Sequence, residues 1–154
     1  MKRFDATDRH ILLALQKNSR QTTAELAEQV ALSQSPCWRR IRQLEDSGVI
    51  EGYHAHLNRS QLGFGVTGFV QLQMETHNAD IGQAFEREVV ALPQVLSCHN
   101  LSGHYDYMLE VIAQDVETFS NLVRTKIRSL PGVKEISTSF SLKEVKRTNA
   151  LPIE

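Results

Sequence analysis

The chain has little cysteine: Cys37 and Cys98 are the two in its 154 residues, far apart in sequence. That excludes a small disulfide-stapled scaffold and suits free thiols in a reducing cytoplasm. No apolar run approaches the ~18 residues of a membrane helix, and no stretch reads as a signal peptide, so a cytoplasmic protein with no membrane partner is expected. Charge of one sign is lacking too, with 17 Lys and Arg against 18 Asp and Glu, net −1. A polyanion binder working through bulk charge is thereby excluded, and any nucleic-acid contact must come from a local patch. There is no glycine-rich phosphate loop, no local Ser–His–Asp or Cys–His set, and no Cys-x-x-Cys or His-x-x-x-His pair. Neither an enzyme nor a resident cofactor is expected. What is present is 41% hydrophobic residues, enough to give one domain or two small ones real cores.

One stretch organises the chain, Ser33 to Gly48. Ser33 suits a helix N-cap, Pro36 is tolerated in the first turn, and Gly48 suits the left-handed position that ends a helix. Cys37, Ile41 and Leu44 fall at i, i+4 and i+7, a narrow buried stripe. The other side carries Gln34, Ser35, Trp38, Arg39, Arg42 and Gln43, with Arg40 on its flank. An apolar back with a front of Arg, Gln and Ser fits a DNA major groove, where such side chains meet base edges and phosphates. The plain alternative is a solvated basic face.

The neighbouring segments favour DNA. Asp5-Ala-Thr-Asp8 opens a helix with Ile11, Leu12 and Leu15 on its apolar face, ending near Asn18. Thr22-Thr-Ala-Glu25 is a capping box that starts a second helix carrying Leu26, Ala27 and Val30. Ala31-Leu32-Ser33 then turns directly into the Arg-rich helix, the connection of a helix-turn-helix unit. Val49 to Leu57, apolar residues around Gly52, reads as two short strands, the wing of a winged helix-turn-helix. On this reading residues 1–57 bind double-stranded DNA. Ser33, Gln34, Ser35, Trp38, Arg39, Arg40, Arg42 and Gln43 form the contact set. Ser35, Trp38, Arg39 and Arg42 lie nearest the bases, Arg40 meets phosphate, and the N-termini of the second and third helices hold phosphates. Trp38 has the alternative of packing on the second helix.

Residues 58–65 are polar and glycine-containing, a linker. From 66 to 154 the pattern changes. Val66 to Glu75 alternates strictly, a strand with Val66, Gly68, Val70, Leu72 and Met74 on one face. Ile81, Phe85, Val89 and Leu92 mark a helix stopped by Pro93; Val95–Ser102 is a strand; Ser102-Gly103-His104 is a tight turn. Tyr105–Ala113 is a third strand. Val116, Phe119, Val123, Ile127 and Leu130 mark a helix stopped by Pro131, and Val133–Val145 is the last strand, with Ile136, Phe140 and Leu142 on one face. The order βαββαβ, with Leu92-Pro93 and Leu130-Pro131 at matching places, predicts an α+β fold, a ferredoxin-like sandwich. Its helices cover one sheet face. The other carries Phe69 and is expected to pair with a second copy as a homodimer.

A metal-sensing regulator is the competing function. Its candidate ligands are His54 and His56, which share a strand face, with His77, Cys98, His99 and His104. Adjacent Cys98 and His99 would point to opposite faces, which counts against it, and scattered surface histidines are the plainer reading.

The chain resembles the Lrp/AsnC (feast/famine) family of transcriptional regulators. The resemblance runs through Asp5-x-x-Asp8-x-x-Ile11-Leu12, Glu25-Leu26-Ala27, Leu32-Ser33 and Arg40-Ile41. It continues in Leu44-Glu45-x-x-Gly48-Val49-Ile50, Gly103-x-Tyr105-Asp106-Tyr107 and Leu130-Pro131-Gly132-Val133. It implies a regulator of amino-acid metabolism that binds a small amino acid where dimers meet, and dimers that assemble further, to an octamer. The implied ligand site is the turn Ser102, Gly103, His104, Tyr105 and Asp106. Gly103 lets an amide approach a carboxylate, and Asp106 is suited to accept from an ammonium, unless it only shapes the turn. Ser137, Thr138 and Ser139 are expected to add hydroxyls.

Overall fold

The computed structural model describes residues 4–76 and 78–153. The chain divides into two compact units: one ends at His56 and takes in the tail from Lys146, and the other is Leu57–Val145.

The first unit holds three helices, α1 (Ala6–Lys17), α2 (Thr23–Gln29) and α3 (Gln34–Asp46). Both anticipated starts are closed by capping boxes: Asp5 with Asp8 on α1, Thr22 with Glu25 on α2. Each box satisfies orphan amides of a first turn with a side-chain oxygen. The Asp8 amide, then the Arg40 guanidinium, hold the Asp5 carboxyl below its ordinary value, and the Thr22 amide and hydroxyl do the same for Glu25. Ile11, Leu12, Leu26, Ala27, Cys37 and Leu44 form the core, with Ile41 packed at its edge. Gly48 takes φ +71 just past the end of α3, where a Cβ would be strained.

Two expectations fail in this unit. The wing strands do not form: residues 51–58 carry neither helix nor strand. The amides of Val49 and Ile50 both turn back to the Leu44 carbonyl, at 3.0 and 3.1 Å, so the segment's first donors serve the helix end instead of a ladder. An isolated two-stranded hairpin has little stability of its own. The tail also departs from the expected division, which ran the sandwich to residue 154. Gln16 donates to the Leu151 carbonyl at 3.1 Å and accepts the Leu151 amide, and Ile153 packs against the first unit's core. An apolar residue beyond the last strand finds burial there rather than on the sheet.

The second unit is the expected βαββαβ: β1 (Val66–Met74), α4 (Ala79–Val90), β2 (Val95–Asn100), β3 (Tyr107–Ala113), α5 (Val116–Thr125) and β4 (Val133–Phe140). The strands are antiparallel in the order β2-β3-β1-β4. Gly68, Val70, Leu72 and Met74 are buried on one side of β1, as the alternation requires. Val70, Leu72, Leu109 and Val111 share one core with Phe85 and Val89 of α4 and Phe119 of α5, so both helices cover the same face. The other face presents Phe69, opposite Glu110 of β3 and Ser139 of β4, and Arg59 pairs with Glu110 at 2.8 Å.

β4 is shorter than its pattern. The pattern predicts a strand to Val145 with Leu142 on the face of Ile136 and Phe140, but it ends at Phe140 and Leu142 is 99% exposed. The Ser141 amide reaches the Thr67 carbonyl at 2.9 Å, one residue from the start of β1. A strand cannot continue where its partner has run out.

Candidate functional site

α3 presents the expected front. Ser33, Gln34, Ser35, Trp38, Arg39, Arg42 and Gln43 are exposed, over a back of buried Cys37 and Leu44. Ser33 is the N-cap residue, but its side chain makes no cap hydrogen bond. The N-terminus of α2, by contrast, is filled by the Thr22–Glu25 box, whose carboxylate would repel a phosphate.

Arg40 is placed apart from this front. Its Nη1 donates to Asp5 Oδ2 and Asp8 Oδ1, both at 2.7 Å, so it clasps the start of α1 to α3. Instead of the phosphate contact expected of it, Arg40 joins two elements of the unit. Trp38 is 56% exposed with the Arg42 guanidinium 5.7 Å from its ring centroid. Arg42 also donates to Glu45 at 3.2 Å, and the Tyr53 hydroxyl donates to the other oxygen of Glu45 at 3.1 Å. Burial first, then Glu45, push the Tyr53 phenol up to about 12, so it keeps its proton. Arg39 makes no ion pair among the described residues.

In the second unit the β2–β3 turn is closed by the Leu101 amide donating to the Asp106 carbonyl at 2.8 Å. Ser102, Gly103 and His104 are exposed on it, and His104 stacks edge-on against Tyr105 at 4.8 Å. Gly103 sits at φ +149, a backbone state that side chains rarely adopt. Asp106 stands where the sheet frays. Its amide donates to the Leu72 carbonyl at 2.8 Å, and its Oδ2 accepts the Met74 amide at 2.7 Å. The carboxylate thus acts as a substitute ladder carbonyl for β1 just beyond the last β1–β3 pair, Leu72 with Tyr107.

Beside it lies a cleft of about 320 Å³ between the end of β1, α4 and the β2–β3 hairpin. That is the low end of the range for small-molecule sites, ~300–1,000 Å³. Asp106 and Tyr107 line it with Thr76, Asn78, Gly82, Glu86 and Asn100. The Tyr107 hydroxyl donates to Glu86 at 3.1 Å. Burial, then Glu86, raise the Tyr107 phenol, and the same two causes raise the Cys98 thiol. Glu86, Asn100, Thr76 and Asn78 were not singled out from sequence, because nothing in the spacing marks residues that meet only through the fold. The last strand splits its three hydroxyls. Ser137 and Ser139 pair with Gln71 and Phe69 on the open face, while Thr138 pairs with Val70 on the helix face. One pocket cannot take all three.

Among the described residues no group of three or more His, Cys, Asp or Glu is placed to hold a metal. None of His54, His56, Cys98, His99 and His104 belongs to such a group among the described residues, and His77 lies outside them.

Residues 67–151 match the family described as Lrp/AsnC ligand binding domain, and residues 4–51 match winged helix-turn-helix DNA-binding. The chain belongs to the Lrp/AsnC family. This Lrp/AsnC protein is 36% identical to the leucine-responsive regulatory protein of Escherichia coli K12 over 99% of its own length and 93% of that protein's. It is 33% identical to the DNA-binding transcriptional activator DecR of the same strain, over 98% and 99%. The transcriptional regulator NMB0573 of Neisseria meningitidis, solved as a complex with L-Met, superposes with TM-score 0.92 at 41% identity over 97% of both chains. E. coli AsnC shares the fold at TM-score 0.89 and 24% identity, over 97% and 99%. The chain is therefore a transcriptional regulator with a DNA-binding helix-turn-helix and a ligand-binding domain. Among the described residues no helix is long and apolar enough to cross a membrane.

Proposed function

We propose that this protein regulates genes of amino-acid metabolism from the cytoplasm, reading operator DNA with α3 and responding to an amino acid bound in its second unit. The observation that carries the DNA half is the exposed front of α3, with Arg39 and Arg42 presented over an apolar back. Ser33, Gln34, Ser35, Trp38, Arg39, Arg42 and Gln43 make the contacts, and Arg40 holds α1 to the recognition helix. For the effector, the turn Ser102 to Asp106 forms the rim and the adjoining cleft the body of the site. A zwitterion suits such a site: Glu86 and Asp106 of the lining attract an ammonium, and exposed Gly103 on the rim lets a backbone amide approach a carboxylate. The L-Met complex of the similar Neisseria regulator supports an amino acid as the ligand class.

The open sheet face, with exposed Phe69 and half-buried Met108, pairs with a second copy, and dimers assemble further, to an octamer. Two α3 helices then meet half-sites about one helical turn apart, and neighbouring dimers bend the DNA between them. The effector shifts assembly by its differential affinity for the two states.

A thermal-shift screen against the twenty amino acids tests the effector half. A ligand present at about 100 times its Kd adds roughly 2.7 kcal/mol to the state it binds. One or a few amino acids are expected to raise the second unit's melting point; no shift with any of them removes the effector reading. Asp106→Asn separates the two roles of that carboxylate. It is expected to lower the second unit's stability by about 1–3 kcal/mol, since the Met74 amide loses a charged acceptor. Amino-acid binding should weaken further than stability alone explains, measured by calorimetry below the melting range. Unchanged amino-acid affinity would confine Asp106 to shaping the turn.

A further inference from the structure

Glu45 stands out on a surface read as meeting phosphates. A carboxylate there repels DNA unless it has another task. Its two oxygens are each engaged: Oε2 by Arg42 at 3.2 Å, and Oε1 by the Tyr53 hydroxyl at 3.1 Å. Trp38, Arg42 and Glu45 follow at i, i+4 and i+7, so they line one side of α3. The indole lies under the guanidinium at 5.7 Å and the carboxylate holds its edge. An arginine on a free tether loses rotamer freedom when it meets a base; one held between an indole and a carboxylate has lost much of it beforehand. Tyr53 lies in the segment without helix or strand that follows α3, and its bond to Glu45 ties that segment to the helix. The same four side chains line a cleft against Gln21, Thr23 and Leu26, next to the start of α2.

We infer that Glu45 is a positioning residue of the DNA interface: it fixes Arg42 over Trp38 toward a base edge, and the Tyr53 hydroxyl that donates to it holds the carboxylate in place beside α3. This rests on the reading that α3 enters the groove. Arg42 and Glu45 together carry no net charge, so the pair contributes to discrimination between sequences rather than to general attraction. Tyr53 acts through Glu45 from outside the helix-turn-helix, since its one hydroxyl proton is already given to that carboxylate.

The test starts from a duplex selected out of a random pool by the unmodified full-length protein. Glu45→Gln and Tyr53→Phe are then compared with it on that duplex and on a scrambled one of equal length at one salt concentration. Glu45→Gln is expected to bind the selected duplex about tenfold more weakly while holding or slightly gaining affinity for the scrambled one. Tyr53→Phe is expected to lose about threefold on the selected duplex. A parallel gain on both duplexes would make Glu45 a mere negative charge, and an unaltered ratio would leave it no role; either overturns the inference. If Glu45→Gln does not fold, as judged by the first unit's melting, Tyr53→Phe decides alone, and a wild-type ratio in that variant overturns it. Failure of the unmodified protein to select any sequence would instead refute the groove reading.

Discussion

Truncating Phe85 to alanine is expected to destabilise the second unit by about 3–5 kcal/mol. Phe85 is fully buried between α4 and the sheet, in one core with Val70, Leu72, Leu109 and Phe119. Removing its ring costs the transfer of the aromatic surface and leaves a cavity that rigid neighbours fill incompletely. The ring also stands 4.5 Å from that of Tyr107, which lines the cleft and donates to Glu86. Loss of Phe85 therefore frees Tyr107 to lean inward, and the amino-acid response should fall even at temperatures where the unit is still folded. The first unit has its own core around Ile11, Leu26 and Cys37, with no residue in common. Two melting transitions are expected in the variant, the second unit's moved far down and the first unit's unmoved, with DNA contacts by α3 retained at low temperature. A single transition that falls as a whole would show that the two units unfold together.

Arg42→Ala is expected to weaken binding to a selected operator by about 1–3 kcal/mol, with a much smaller loss on random DNA. The asymmetry is the base contact, lost only on the operator. The loss common to both DNAs comes from Glu45, whose charge Arg42 matches at 3.2 Å in the unmodified protein and which loses that partner in the variant. Arg39 makes the contrast, as it has no ion pair among the described residues. Its removal should cost affinity on both DNAs and, if it meets phosphate, reduce the salt slope by about one. Filter binding or fluorescence anisotropy across a salt series reads both effects. Equal losses on both DNAs from Arg42→Ala would return Arg42 to the phosphates.

Local signals in the sequence carried far. The acids that open the first helix, the Thr22–Glu25 capping box, Gly48 past the third helix and the strict alternation from Val66 are short-range properties, and each appears where the residues put it. What sequence hid is set by partners distant in the chain. Arg39, Arg40 and Arg42 look alike along α3. Only the packing of α1 brings Asp5 and Asp8 within 2.7 Å of one of them. The pattern of β4 runs on through Leu142 and Val145, but pairing needs a neighbour and β1 begins at Val66. Thr138 shares a run with Ser137 and Ser139, yet pleating turns it to the other side. Glu86 and Asn100 joined the candidate site through the approach of α4 to the β2–β3 hairpin, which no spacing announces.

The fastening of Leu151 to Gln16 has a topological result. The second unit is an insertion: the polypeptide leaves the DNA-binding unit at His56 and comes home at Lys146. A body held by one string can spin freely; one held by two strings winds them together and resists. The two units are thus joined by two covalent connections, and the second of them follows the end of β4.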